Sequence, residues 1–227
     1  MSRLVKALSS SIGTKFILAV TGLLMFGFLV GHLAGNLLLF AGDATYNRYS
    51  HKLITNPLLI PMELFLVAVL LVHVYKAVTM TLRNRRARPI AYARKEMAGA
   101  PSRKTLASST MIYSGIFLLI FLVLHLKTFK YGPHYAVEVN GGASAAGMRD
   151  LALLAQEVFS DPLYVAFYVV AMVILGWHLR HGFASAFQSL GIDHPAVTPQ
   201  ILRAGTIAAA AIAGGFALIP IAIFVLR

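Results

Sequence analysis

The sequence predicts an all-α integral membrane protein, a single bundle of five spanning helices. Three observations predict it. The chain is 58% hydrophobic and 12% charged, with a mean hydropathy of +0.75, which excludes an ordinary soluble domain and a disordered chain. Its 227 residues resolve into five long apolar runs, each near the roughly 20 residues that cross a bilayer. Its basic residues crowd into one loop between two of those runs. Five helices and short connections consume nearly the whole length, so 1–227 reads as one membrane domain with no room for a sizeable soluble catalytic unit.

The elements follow in order. Met1 to Lys15 is a basic, Ser-rich lead without the small-residue cleavage site of a signal peptide, and reads as a cytoplasmic tail. Span I covers about 16–41. The polar stretch GDATYNRYSHKLITN reads as an outer loop, and Asn56-Pro57 as a capped start for span II, about 57–82. Arg83, Arg85, Arg86, Arg88, Arg94, Lys95, Arg103 and Lys104 then form a loop broken by Pro89 and Pro101. Span III covers about 106–129. The longest outer connection, 130–160, starts with the Gly-rich NGGASAAG. In it Leu151, Leu154, Ala155, Val158 and Phe159 share one face, as in a helix lying on the membrane surface. Asp161-Pro162 opens span IV, about 162–190, by the same device as Asn56-Pro57. Span V, about 204–226, is rich in Gly and Ala and suited to close helix packing.

The net charge of +12 falls where a cytoplasmic loop carries it, which argues for topology rather than nucleic-acid binding. Anionic lipid or an acidic partner fits the same patch. The bias sets the N-terminus in the cytoplasm and the C-terminus outside. The absence of cysteine excludes thiolate-held iron–sulfur clusters, disulfides and covalently attached c-type haem on this chain.

Each of the first four spans holds a histidine deep in hydrocarbon: His32, His73, His125 and His178. Such a group is costly in lipid and marks function by default, and neutral imidazole is the common protein ligand of haem iron. At about 1.5 Å of rise per residue, His73 lies roughly 15 Å and His178 roughly 20 Å from the cytoplasmic end. His32 and His125 lie roughly 25 and 30 Å from it. Two layers result, each drawing one imidazole from each of two helices, as a doubly ligated haem needs. Gly31 and Gly35 beside His32, and Gly176 and Gly182 beside His178, leave room for a flat macrocycle, though small residues also serve plain packing. A lone histidine bonded to a neighbouring helix is the bland alternative at any one position. His181 shares part of the face of His178 and competes with it as ligand or propionate partner. His51, His134 and His194 lie in loops.

The motifs TGLLMFGFLVGHLAGNL, YNRYSHKLITNP and WHLRHGFASAFQSLGI, with His73 and His125 at matching depths, resemble the cytochrome b membrane anchor of succinate:quinone oxidoreductases. The resemblance is to the single-chain, five-helix, two-haem form shared with quinol:fumarate reductases, and it covers nearly the whole chain. It implies two haem b groups, the outer on His32 and His125 and the inner on His73 and His178. Gly182, four residues after His178, matches that family's spacing and favours His178 over His181. It implies a bacterial cytoplasmic membrane, a flavoprotein and an iron–sulfur protein as partners, and menaquinone or another quinone as electron acceptor; complexes of this kind can associate further. Glu63, with Tyr46, Tyr49 and His51 nearby in sequence, is the candidate quinone site, against a plain helix-start carboxylate. Lys76 and Arg180 are placed to meet inner-haem propionates, or with Lys127 to snorkel to the headgroups. Two rivals stand: the cytochrome b subunit of a formate dehydrogenase or hydrogenase, and a haem-free transporter or proton conductor.

Overall fold

A computed structural model describes residues 3–87, 106–137 and 147–226. The basic-loop residues Arg88, Pro89, Arg94, Lys95, Pro101, Arg103 and Lys104, and most of NGGASAAG, lie outside them. The described residues form eight α-helices: α1 Arg3–Ser9, α2 Ser11–Asn36, α3 Asp43–Ile54, α4 Leu59–Arg86, α5 Leu106–His125, α6 Leu151–Val158, α7 Pro162–Ser189 and α8 Thr198–Val225. A 3₁₀ turn, Leu37–Ala41, extends α2, and a π-helical turn, Leu126–Lys130, extends α5. Five of these are long and apolar enough to cross a membrane, and they are the five expected.

α7 is the centre of the bundle. Val165, Tyr168, Met172, Leu175, Leu179 and Ala186 recur along it at intervals of three, four and seven, and Ala171 beside that stripe is buried too, as in a helix with neighbours on several flanks. It packs most extensively on α8 and also on α2 and α5, while α4 leans on α2 and barely meets α5. The α7–α8 seam is close because its residues are small. A Cβ on Gly176 would sit 3.1 Å from that of Ala213, and one on Gly205 would fall 2.7 Å from the Phe183 ring. Span V thus packs as its composition predicts. α4 has one buried residue, Val69, so most of its apolar surface faces outward.

Several boundaries differ from the sequence reading, each for a local reason. The lead is helical (α1), and Ser10 caps α2 by accepting from Gly13 N at 3.0 Å. The expected outer loop after span I is α3. α4 begins at Leu59, two residues late, because Asn56 Oδ1 accepts from Leu58 N at 2.9 Å and closes a turn of its own before the helix starts. Asp161 caps α7 through Leu163 N at 2.8 Å, with Pro162 at the first position, as expected. The apolar face of α6 is covered by protein rather than turned to a membrane surface: Ala152, Leu154, Ala155 and Phe159 are all buried.

The two ends of the bundle are tied differently. At the basic end, which carries Lys6, Lys15, Arg83, Arg85, Arg86 and Arg203, Lys76 Nζ donates to Leu8 O at 3.1 Å and Arg83 Nη1 to Ser9 O at 2.8 Å. At the opposite end α3 and α6 form a cap. Asn47, 2% exposed, donates to Asp150 Oδ1 at 2.8 Å and accepts from Leu151 N and Ala152 N at 3.0 Å each. Gln156 Nε2 adds bonds to the Asp43 carboxylate at 2.9 and 3.0 Å. Arg149 braces the segment after α5 through the carbonyls of Lys130, Gly132 and Pro133; its partial burial pushes the guanidinium pKa down.

Candidate histidine centres

The four span histidines are half-buried and fall into two pairs. At the capped end, α2 and α5 bring His32 and His125 together with ring centroids 5.8 Å apart and planes at 90°. Aromatic rings enclose them: Phe28 and Phe216 lie 5.3 and 5.6 Å from His32, Phe121 and Phe129 5.8 and 5.3 Å from His125. At the basic end His73 on α4 and His178 on α7 lie near enough to interact electrostatically.

Each ring has its Nδ1 next to a polar side chain. His73 Nδ1 lies 3.0 Å from Thr21 Oγ1, His178 Nδ1 2.9 Å from Ser114 Oγ, and His125 Nδ1 3.2 Å from the Tyr168 hydroxyl. His32 Nδ1 has only Asn36 Nδ2, at 3.4 Å, and that amide also donates to His32 O at 2.8 Å. Asn36 Oδ1 in turn accepts from Tyr46 OH at 3.1 Å. Sequence reasoning missed Thr21, Asn36, Ser114 and Tyr168. Their one signal was a polar atom inside an apolar span.

At His73, His125 and His178 a hydroxyl oxygen beside Nδ1 can accept its proton and leave Nε2 as the outward nitrogen, the usual division of labour in a metal-bound histidine; at His32 the group beside Nδ1 is a donor. His32 and His125, with ring centres 5.8 Å apart, are the side chains that would hold a metal ion at the capped end. Among the described residues no three His, Cys, Asp or Glu side chains converge on a metal position. Two imidazoles suffice where a macrocycle supplies the remaining ligands, and the residues present fit a haem. Beside His178 a cleft of about 380 Å3 opens between α5 and α7, lined also by Thr110, Ser114, Phe117 and Trp177.

The glycines serve two purposes. A Cβ on Gly31 or Gly182 would meet nothing within 4 Å, so those positions are open as expected. Gly35 and Gly176 are filled by packing: a Cβ on Gly35 would lie 2.6 Å from the Tyr49 hydroxyl, and Gly176 is pressed on Ala213. His181 is half-buried one turn beyond His178; the hydroxyl partner falls on His178.

The bonds of the quinone candidates lead in different directions. Glu63 forms an ion pair with Lys130 at 2.5 Å, each side chain 37% exposed, joining the start of α4 to the end of the π-helical turn. Tyr46 reaches Asn36 and thus the His32 centre, and its burial pushes the phenol pKa up. Tyr49 lies against Gly35, and His51 is half-buried on α3. Of the basic-end cations, Lys76 is anchored on Leu8 O, and Arg180 Nε donates to Thr206 Oγ1 at 3.3 Å. Compared with known proteins, the chain matches no family model, no curated protein and no solved structure.

Proposed function

We propose that this chain is the haem-bearing membrane anchor of a succinate dehydrogenase, passing electrons from an iron–sulfur subunit at its basic end toward a membrane quinone. The observation that carries the reading is the pairing of four intramembrane imidazoles at two depths, His73 with His178 and His32 with His125. Haem b held at each pair supplies one-electron iron chemistry. The chain's part is to orient and enclose. Thr21, Ser114 and Tyr168 hold three of the rings by Nδ1, and Phe28, Phe121, Phe129 and Phe216 keep water from the capped-end pair.

At the basic end Lys76 and Arg180 keep further N–H donors for carboxylates of a bound group, beyond the bonds each already makes. At the capped end the line Tyr46–Asn36–His32 and the Glu63–Lys130 pair are the groups that can exchange protons with a quinone. The flavoprotein and iron–sulfur partners, menaquinone as the quinone, and a bacterial cytoplasmic membrane with the basic end inside rest on the family resemblance and the charge bias. The same haem arrangement in another quinone-linked dehydrogenase would differ in the partners that copurify.

A pyridine haemochrome assay on the purified complex tests the reading. Two b haems per chain are expected. Replacing His32 or His125 by alanine should remove one haem, and replacing His73 or His178 the other. A colourless complex would sink the haem reading and leave a haem-free proton conductor. Loss of the same haem from His32→Ala and His178→Ala would overturn the pairing.

A further inference from the structure

We infer that Thr21 and Ser114 are positioning residues that fix the tautomer of His73 and His178, leaving Nε2 of each ring bare for a metal centre. The argument is a count of hydrogens. A hydroxyl has one to give. Thr21 Oγ1 lies 2.7 Å from Ile17 O and 3.2 Å from Leu18 O, besides its 3.0 Å contact with His73 Nδ1. Carbonyl oxygens only accept, so the hydrogen of Thr21 goes to its own helix and its oxygen turns a lone pair toward the ring. Nδ1 must then carry the proton. Ser114 repeats the arrangement, with Oγ 2.9 Å from Met111 O and 2.9 Å from His178 Nδ1. Were either hydroxyl to donate to the imidazole instead, its oxygen would face a carbonyl oxygen lone pair to lone pair.

A second observation repeats on the same two helices. Each hydroxyl is followed by a glycine on which the same imidazole rests. A Cβ on Gly22 would lie 3.5 Å from His73 Cε1, and one on Gly115 3.7 Å from His178 Cε1. Thr21-Gly22 on α2 and Ser114-Gly115 on α5 thus form one device used twice: the hydroxyl takes Nδ1–H while the bare backbone beside it receives the ring edge. The capped-end pair lacks it. The Tyr168 hydroxyl is free to give or take toward His125, and Asn36 meets His32 Nδ1 with a donor. The basic-end centre is therefore set before any ligand arrives, and the capped-end centre is not.

Only the identity of the metal centre rests on the haem reading; the tautomer does not. The test is nitrogen-15 NMR of the full chain, labelled at histidine, produced without haem and held in detergent micelles. Two rings should show protonated Nδ1 and bare Nε2. Thr21→Val should release one of them and Ser114→Ala the other, while Thr21→Ser and Ser114→Thr keep both. Haemin titrated into the same preparations should bind one of two sites about tenfold more weakly in Thr21→Val and in Ser114→Ala, the usual scale for losing such a partner, with the second site unchanged. Protonated Nε2 on these rings in the unaltered chain, or tautomers indifferent to both variants, overturns the inference. Tautomers as stated in a chain that takes up no haemin uphold it and count against the proposed function.

Discussion

Replacing Asn47 by alanine should unlock the cap at the end of the bundle away from the basic residues. The buried carboxamide accepts from Leu151 N and Ala152 N and donates to Asp150 Oδ1. Alanine leaves Ala152 N without a partner, while Leu151 N keeps Arg149 O at 3.2 Å. Ala152 is fully buried, so its N–H bears the full cost of an unmet donor, about 1–3 kcal/mol. Leu151 is half-buried and its amide retains Arg149 O, so it adds little. Asp150 still holds Leu153 N at 2.8 Å, so the damage stays in the first turn of α6. The total, about 1–3 kcal/mol, corresponds to about 2–12 °C in Tm for a chain of this size. Thermal unfolding of the purified protein in detergent reads the first number. Hydrogen exchange at Leu151 and Ala152 reads the cause. A Tm within about 2 °C of the parent, or a lower Tm with exchange at those amides unchanged, would refute the assignment of Asn47 as the lock.

Two further outcomes follow from the same end of the molecule. Glu63→Gln should cost no more than about 1 kcal/mol in unfolding experiments, because its ion pair with Lys130 is over a third exposed and solvent screens it; a larger loss would show that the pair holds α4 to α5. Tyr46 titrates above its ordinary value because burial disfavours the phenolate, so its contribution to stability is complete below the unfolded value of about 10 and falls as pH rises through the folded one. Tyr46→Phe should flatten that alkaline decline when stability is followed from pH 9 upward, and an unchanged slope would rule the group out.

The spans were legible because length, apolarity and a constant rise per residue are all properties of one helix at a time. The same constancy made depth readable, and depth alone put His73 level with His178 and His32 level with His125. Rotation about the helix axis is not carried by depth, which is why Thr21, Ser114, Asn36 and Tyr168 went unnoticed as partners of those rings. α3 was read as a loop because its sequence, DATYNRYSHKLI, is polar, and the side it buries is made of Asn47 and Ser50, which leave no apolar period to detect. Asn56 misled by two residues because an asparagine can serve a turn as well as a helix start. The glycines around His32 and His178 were read together as leaving room for a macrocycle, and only Gly31 and Gly182 do. Sequence does not say which neighbour takes each gap: Tyr49 and Ala213 fill two and leave two open.

The interleaving of the histidine pairs dictates an order of events during synthesis. One pair joins the first and third spans and the other the second and fourth, so a nascent chain that has inserted only α2, α4 and α5 owns both halves of the His32–His125 centre and a single half of the other. His73 and His178 meet last, once α7 has entered beside its neighbours. A ligand held by both of those rings, as proposed, would have to be acquired after the fourth span has entered the membrane.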